Sequence, residues 1–249
     1  MPKQAHVRAR WLLPAATLVM GAFACTGGQP SDDTAETGEE ATVPPTGAAG
    51  GSWQVLFDGT STAAWRGYRA DSLPAGWQAV DGALTRVAQA GDIVTVEEFR
   101  NFELELEWQI AEGGNSGIMF RVTEDLPETY HSGPEMQVLD DARHADGQSP
   151  LTASGSNYAL HAPTRSVVKP AGEWNAVRLL VNGNHVEHWL NGEKIVEYEL
   201  GSPEWEALVT GSKFVEWPRY GRETRGHIAL QDHGDRVAYR KIRIRVLPD

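Results

Sequence analysis

The chain of 249 residues is poor in three features that would each point to a class of protein. Its single cysteine, Cys25, excludes an intramolecular disulfide and a zinc site built from several thiolates. Basic residues are few, with 22 Lys and Arg against 34 Asp and Glu, and the net charge of −12 argues against nucleic acid as a partner. The apolar run at residues 11–24 is too short for a membrane-spanning helix, which needs about 20 residues.

Residues 1–24 predict a secretory signal peptide, because Lys3, Arg8 and Arg10 precede the apolar run. Cys25 follows small residues, so we expect cleavage before it and lipidation of its thiol. The residue Ala22 stands where a lipobox usually has leucine, and the alternative is a lone thiol. Cleavage would take the net charge to about −15, since the segment carries three basic residues and no acid. We therefore expect an exported lipoprotein, facing the periplasm or the cell surface, that meets the membrane only through its anchor.

Residues 25–51 predict a flexible acidic linker, because they are rich in Gly, Pro and Thr and contain no aromatic residue. The composition changes at Ser52, and Trp53, Val55 and Phe57 follow within a few residues. We expect one folded domain at residues 52–249.

The domain is predicted to be all-β, with two packed sheets forming a sandwich. Turn pairs such as Asp81-Gly82, Asn182-Gly183 and Asn191-Gly192 lie between short alternating runs, which indicates hairpins. The run Phe102–Ile110 alternates apolar and polar residues along its whole length. Only residues 202–208 predict a short helix, with Ser202 as the N-cap.

Two predicted strands carry polar residues on one face. In residues 226–234 (GHIALQDHG), Gln231 and His233 lie opposite the apolar Ile228 and Leu230. In residues 134–140 (PEMQVLD), Glu135 and Gln137 lie opposite Met136 and Val138. The two strands indicate a polar site on one sheet surface, and the alternative is an ordinary solvated sheet face.

Seven segments taken together resemble the 3-keto-disaccharide hydrolase family, in that family's order, over residues 53–247. They are VLFDG at 55–59, Trp77 with Asp81-Gly82, NSGI at 115–118, EMQVLD at 135–140, KPAGEWN at 169–175, LNG at 190–192 and LQDHG at 230–234. The resemblance implies a concanavalin A-like lectin/glucanase fold, which is a jelly-roll sandwich. It also implies cleavage of 3-keto-glycosides or 3-keto-disaccharides, by elimination and hydration with net hydrolysis of the glycosidic bond.

A ketone at C3 acidifies the C2 proton, so this chemistry needs a base, a group that stabilises the enolate, and an acid for the leaving oxygen. We expect His233 as the base, and Glu135 and Arg121 complete the predicted catalytic set. Arg121 is predicted to lie opposite the apolar residues of Gly117–Val122, which include Val122. A cation there would stabilise the enolate, and the alternative is a salt bridge from Arg121 to Glu135 or another acid.

The resemblance further implies a set of substrate-binding residues, namely Asn115, Gln137, Asp140, Tyr158, Lys169 and Gln231. No cofactor is certain. A divalent metal ion is an open possibility, for which Glu135, Asp140 and His233 offer oxygen and nitrogen ligands.

The chain has no dinucleotide-binding fingerprint. The expected substrate is an already oxidised sugar, so a separate sugar 3-oxidoreductase is the expected partner. The alternative function is a lectin-like module that binds a glycan without cleaving it, because one fold can serve both purposes.

Overall fold

The computed structural model describes residues 51–249, and the predicted signal peptide, Cys25 and the linker up to residue 50 lie outside the described residues. Thirteen strands and one α-helix are present in this part. Among these residues, none of the helical segments is both long enough and apolar enough to cross a membrane.

The strands are β1 (Gln54–Phe57), β2 (Trp65–Gly67), β3 (Trp77–Val80), β4 (Ala83–Arg86), β5 (Ile93–Thr95), β6 (Phe102–Ile110), β7 (Asn115–Val122), β8 (Glu135–Leu139), β9 (Asn175–Asn182), β10 (His185–Leu190), β11 (Glu193–Glu199), β12 (His227–Leu230) and β13 (Val237–Val246). An eight-stranded sheet has the order β11-β10-β9-β6-β13-β4-β3, with β1 paired to β13. A five-stranded sheet has the order β2-β5-β12-β7-β8. The strand pairs of both sheets are antiparallel, so the predicted all-β two-sheet sandwich is confirmed.

The core lies between the two sheets and follows from the alternation of the strands. In β6 the apolar residues Phe102, Leu104, Leu106, Trp108 and Ile110 are all at most 2 % exposed. Each such side chain contributes about 1.5–3 kcal/mol on burial. Ile118 of β7 and Met136 and Val138 of β8 pack in the same core. Because side chains alternate along a strand, the residues between them lie on the opposite face of the sheet.

All three predicted hairpins form, two of them at the predicted turn pair. The third turn is shifted by one residue to Gly183-Asn184, because Asn182 is the last residue of β9 and pairs with His185. Asp81 and Gly82 join β3 to β4, and Asn191 and Gly192 join β10 to β11, in each case with positive φ at both residues. Type I′ turns require this geometry, which Asn, Asp and Gly adopt most readily. Gly183 follows β9 directly and begins the turn into β10.

The helix α1 (Pro203–Thr210) confirms the predicted short helix. The Ser202 side chain accepts a hydrogen bond from the Trp205 backbone N–H, and Pro203 occupies the first turn. After the helix, a 3-10 turn at Lys213–Glu216 leads toward β12.

One face assignment in β7 is wrong. Val122 was predicted to share a face with Ile118 and Phe120, but it packs with Val94, Met119 and Ala229 in a separate cluster. Arg121 has a φ of 54°, and the pairing of β7 with β12 shifts register beside it. This bulge adds one residue to the strand and reverses the alternation beyond it.

Candidate functional site

Polar residues from three adjacent chain segments meet on the outer side of the five-stranded sheet, which we name the site face. Gly117 of β7 pairs with Gln137 of β8, and the Gly117 carbonyl accepts a hydrogen bond from the Gln231 backbone N–H. Asn115 and Glu135 lie two residues along the same strands, on the same side. The structure therefore brings four predicted residues together: Asn115, Glu135, Gln137 and Gln231.

The position of Glu135 depends on a glycine across the strand pair. A Cβ atom built on Gly117 would lie 2.0 Å from Glu135 Oε1 and 2.7 Å from its Cδ. The Glu135 side chain therefore lies directly over the Gly117 backbone, and no larger residue at position 117 leaves room for it. Glycine allows this close approach because it has no side chain.

Glu135 is 7 % exposed, and within residues 51–249 its carboxyl group has no hydrogen-bond or ion-pair partner. Burial raises the pKa of Glu135 to about 8. The cause is desolvation, which disfavours the charged carboxylate. The positive charge of Lys213 lowers this pKa, whereas the negative charges of Asp92 and Asp146 raise it. Glu135 can therefore take up or release a proton near neutral pH.

Beside Glu135 the site face carries buried amide oxygens without a protein partner. Asn115 Oδ1, Gln137 Oε1 and Gln231 Oε1 are buried, and none of them accepts a hydrogen bond within the described chain. The Gln137 amide nitrogen donates to the Thr152 carbonyl at 3.3 Å, which fixes that side chain. Buried acceptors are nearly always satisfied in proteins, so three on one face indicate a ligand that donates hydrogen bonds, as a sugar hydroxyl does.

A rim of side chains borders Glu135 on the loops that follow β8 and α1. The Tyr158 hydroxyl donates to Asp146 Oδ2 at 3.2 Å, and the Lys213 ammonium lies 4.4 Å from the centre of the Tyr158 ring. Burial raises the pKa of Tyr158 to about 12, with Asp146 and Glu135 adding to the effect. Tyr158 therefore stays protonated near neutral pH and can donate a hydrogen bond.

The rim continues to His233 through a second histidine. The rings of His144 and His233 lie edge to face with centres 6.3 Å apart, and His233 is exposed. His144 Nδ1 accepts a hydrogen bond from the Asp146 backbone N–H at 3.1 Å. His233 therefore lies at the rim, whereas Glu135 lies in the buried floor of the site.

Aromatic residues form a further edge of the site face. The rings of His131 and Trp217 stack with centres 4.9 Å apart, and Tyr130 meets Trp217 edge to face. Tyr130 also packs against the cluster that contains Met119, the residue paired with Glu135. Partly buried aromatic rings of this kind can pack against the C–H surface of a sugar ring.

Arg121 is not brought to this site. Its guanidinium donates to the Gly183 carbonyl at 2.5 Å and to the Arg100 carbonyl at 3.4 Å, both at the end of the eight-stranded sheet. The bulge at Arg121 turns the side chain away from the site face, so no Arg121–Glu135 salt bridge forms in the described chain. Burial lowers the pKa of the Arg121 guanidinium.

Asp140 and Lys169 bind their own loops. Asp140 Oδ2 accepts from the Gly113 backbone N–H at 2.7 Å, and Asp140 Oδ1 accepts from that of Ala142 at 3.2 Å. The Lys169 ammonium donates to the Trp174 carbonyl at 3.0 Å. These bonds order the loops beside β7 and β9.

The three residues named as metal ligands do not converge. Glu135 is the first residue of β8 and Asp140 directly follows its last, so the two lie about 16 Å apart along the chain at ~3.3 Å per residue. Among residues 51–249, one group of three side chains brings its possible metal-ligand atoms within 4.8 Å of one another. It consists of His185, Glu187 and Glu197. There the Lys194 ammonium already bridges Glu187 Oε1 at 3.2 Å and Glu197 Oε2 at 2.5 Å, so this cluster is balanced by a protein cation.

Lys213, Asp146 and His144 were not predicted from the sequence. All three lie in loops or 3-10 turns, where side-chain direction follows no period. The sequence offered one indication of the turn that carries Lys213. Ser212 follows the predicted helix and is a residue type that caps helical turns, and in the structure its side chain accepts from the Phe214 backbone N–H.

Comparison with known proteins identifies the family of the chain. The family model described as "3-keto-alpha-glucoside-1,2-lyase-like domain" matches residues 52–245. A protein of Bacteroides thetaiotaomicron named "3-keto-disaccharide hydrolase" is 35% identical, and the match covers 78% of each chain. Two crystal structures of proposed glycosyl hydrolases from Parabacteroides distasonis are also similar. One has a TM-score of 0.73 and 33% identity over 79% of this chain and 94% of its own. The other has a TM-score of 0.64 and 30% identity over 79% and 100%. The chain therefore belongs to the family of 3-keto-alpha-glucoside-1,2-lyase-like domains.

Proposed function

We propose that the protein is an enzyme that cleaves the glycosidic bond of sugars oxidised to a ketone at C3, with Glu135 as the base. The names of the family and of the Bacteroides relative support the reaction class. The observation that carries the proposal for this chain is Glu135 itself. It is a buried carboxyl group that has no partner among residues 51–249, and it lies on the same face as the unsatisfied amide oxygens of Gln137, Asn115 and Gln231.

The proposed reaction begins with removal of the C2 proton by the Glu135 carboxylate. The electrons of the C2–H bond form a C2=C3 double bond, and the carbonyl electrons move to the C3 oxygen. When the C3 ketone re-forms, a C1=C2 double bond appears and the C1–O bond breaks. Glu135 then returns its proton to the departing oxygen, and addition of water to the double bond completes a net hydrolysis. This route needs no pair of carboxylates, unlike ordinary glycoside hydrolysis.

The environment of Glu135 suits a base. A catalytic pKa near the working pH combines a usable fraction of carboxylate with a strong tendency to take a proton. Since the pKa of Glu135 is about 8, we expect kcat/KM to rise with pH up to about 8. His233 stays a predicted catalytic residue, and its exposed position at the rim suits proton exchange with solvent.

Two further proposals concern the setting of the enzyme. The substrate ketone has to be produced by a separate sugar oxidoreductase, because the chain carries no dinucleotide fingerprint. Lipidation at Cys25 would hold the domain at a membrane surface outside the cytoplasm, where such oxidised sugars would reach it.

The test measures release of the aglycone from a 3-keto-glucoside and from its unoxidised parent, with and without EDTA. It uses the whole chain and its Glu135→Gln variant. The matched control is Glu105→Gln, which also removes one carboxylate but on the eight-stranded sheet. We expect release from the keto substrate alone and a loss of about 10²–10⁴-fold in Glu135→Gln. Wild-type activity in Glu105→Gln completes the expected pattern.

Two results would contradict the proposal. Glycan binding without release from any keto-glycoside would make the protein a lectin-like module. Release that survives in Glu135→Gln would move the base elsewhere, with His233 as the next candidate. Product NMR separates an unsaturated product from a hydrated sugar, and sensitivity to EDTA would reveal a required metal ion.

A further inference from the structure

Lys213 differs from the other lysines of the domain in its surroundings. Residues 51–249 contain four lysines. The ammonium groups of Lys169, Lys194 and Lys241 each donate to a protein oxygen. In the same range, the Lys213 ammonium has no hydrogen-bond acceptor and no carboxylate within 4.0 Å. Its nearest partner is the Tyr158 ring, 4.4 Å from the ammonium to the ring centre.

The backbone beneath Lys213 is held firmly. The Ser212 side chain accepts from the Phe214 backbone N–H at 3.2 Å, which caps the 3-10 turn. The Phe214 ring stacks on Tyr220 with centres 3.8 Å apart, and Tyr220 stacks on Trp205 of α1 at 5.9 Å. Because this buried aromatic stack anchors the turn to the helix, Lys213 keeps its place over Tyr158.

Tyr158 links Lys213 to Glu135. The Tyr158 backbone N–H donates to the Glu135 carbonyl at 3.0 Å, and the Lys213 ammonium lies 4.4 Å from the centre of the Tyr158 ring. The charge of Lys213 is the one that lowers the pKa of Glu135 against the effect of burial, whereas Asp92 and Asp146 raise it. No direct ion pair forms between the two groups in the described chain, so their charged atoms lie more than 4.0 Å apart. Neither group has a hydrogen-bond or ion-pair partner among residues 51–249, so both can bind a ligand on the site face.

We propose that Lys213 is a catalytic residue that binds the C3 carbonyl oxygen of the oxidised sugar and stabilises the enolate formed there. This inference rests on the proposed function and adds the group that the reaction needs opposite its base. When Glu135 takes the C2 proton, negative charge moves to the C3 oxygen, and the ammonium neutralises it without giving up a proton. Arg121 cannot serve, since its guanidinium is bound to the carbonyls of Gly183 and Arg100.

The test separates enolate formation from bond cleavage. The probe is 1,5-anhydro-3-keto-glucitol, which has a ketone at C3 but no leaving group at C1, incubated with the whole chain in D₂O. Exchange of the C2 proton for deuterium, followed by NMR, reports enolate formation directly. The variants are Lys213→Met and Lys213→Arg, and the control is Lys241→Met, whose ammonium binds Glu107 on the other sheet.

We expect exchange to fall about 10²–10³-fold in Lys213→Met, as when a preorganised group that stabilises an oxyanion is removed. Lys213→Arg should restore part of the rate, and Lys241→Met should match wild type. Loss of the cation also raises the pKa of Glu135, so the pH at which the rate rises should move upward in Lys213→Met. Lys213 is exposed, so unchanged melting temperatures should accompany these effects.

Exchange within about threefold of wild type in Lys213→Met, with an unmoved pH profile, would overturn the role of Lys213 while leaving the proposed function intact. A wild-type protein that neither exchanges the C2 proton nor cleaves a keto-glycoside would overturn both.

Discussion

Glu135 of the five-stranded sheet differs from the glutamates along β6 of the eight-stranded sheet in how its carboxylate is paired. On the eight-stranded sheet, Glu103 binds Arg178 and Arg245, Glu105 binds Arg243, and Glu107 binds Arg240 and Lys241. On the five-stranded sheet, Glu135 is buried without a protein partner in the described chain, and its amide neighbours keep unsatisfied oxygens.

The pairing of a carboxylate distinguishes residues that stabilise the fold from residues that are available to bind a ligand. A carboxylate paired within the protein stabilises the native state, whereas a buried unpaired one costs stability and is typical of a functional site. Both faces show the same alternation in sequence, so the pairing on each face, rather than its polarity, indicates the site.

The largest expected effect is on the free energy of unfolding, which should change in opposite directions in Glu103→Gln and Glu135→Gln. Glu103→Gln should lower the free energy of unfolding at pH 8.5 by about 2 kcal/mol, because it removes the buried carboxylate that two partly buried arginines share. Glu135→Gln should raise it by a few kcal/mol at that pH, because it removes a buried charge. Urea denaturation at pH 4.5 and pH 8.5 measures both changes.

The pH dependence has a definite direction for each residue. The pKa of Glu135 is raised by burial, so its favourable contribution is complete below the unfolded value near 4.5 and is lost as pH rises through about 8. For Glu103, burial raises the pKa but Arg178 and Arg245 lower it more, so its contribution is present above about 4.5 and lost in acid. Equal effects of both substitutions at pH 8.5 would remove the distinction between the faces.

Gly117→Ala should reduce kcat/KM by about 10²-fold. The new Cβ would lie 2.0 Å from Glu135 Oε1, and a displacement of about 1 Å at a catalytic group can cost that much. Gly211→Ala is the matched control, because its Cβ would meet only ordinary contacts of 3.4 Å or more. Steady-state kinetics on a 3-keto-glucoside decide the point, and unchanged activity in Gly117→Ala would show that Glu135 need not lie where it does.

Substitution of single amides on the site face should raise KM by about fivefold each. Gln137→Leu and Asn115→Leu each remove one buried acceptor, and a hydrogen bond to a neutral group is worth about 1 kcal/mol. Stability should change little in Asn115→Leu, because the Asn115 oxygen binds nothing within the described protein. Gln137→Leu also removes the hydrogen bond from the Gln137 amide nitrogen to the Thr152 carbonyl, so a cost of about 1 kcal/mol is expected there. A fall in melting temperature with unchanged KM would assign these amides to the fold instead.

The smallest effect is expected on the opposite face. Arg243→Met removes a partly exposed partner of Glu105 and should cost at most about 1 kcal/mol. The loss should shrink in high salt, and kcat/KM should stay at the wild-type value. A loss of activity in Arg243→Met would extend the functional surface to the eight-stranded sheet.

Much of this architecture could be predicted because strands have a period of two. That period indicated the core side of β6 and placed Glu135 and Gln137 on one face of β8, with no knowledge of partners. The predicted face of Val122 was wrong, because the bulge at Arg121 adds one residue to β7 and the alternating pattern of the sequence does not indicate it.

The rim of the site could not be predicted in the same way. Lys213 and Asp146 reach Tyr158 from loops that follow different elements, and their meeting depends on how α1 packs. Lys169 and Asp140 belonged to family-like segments, yet their polar atoms order local backbone. Resemblance identified the family, whereas the contacts in the structure distinguish residues that order a loop from residues that lie on the site face.

The most direct test of the account is a crystal structure of the Glu135→Gln variant with a 3-keto-disaccharide bound. We predict that the oxidised ring lies on the site face, with C2 next to residue 135, C3 oxygen next to Lys213 and hydroxyl groups donating to Gln137 and Asn115. A sugar bound on the eight-stranded sheet, or at the hollow lined by His161, Tyr198 and Glu204, would contradict the account.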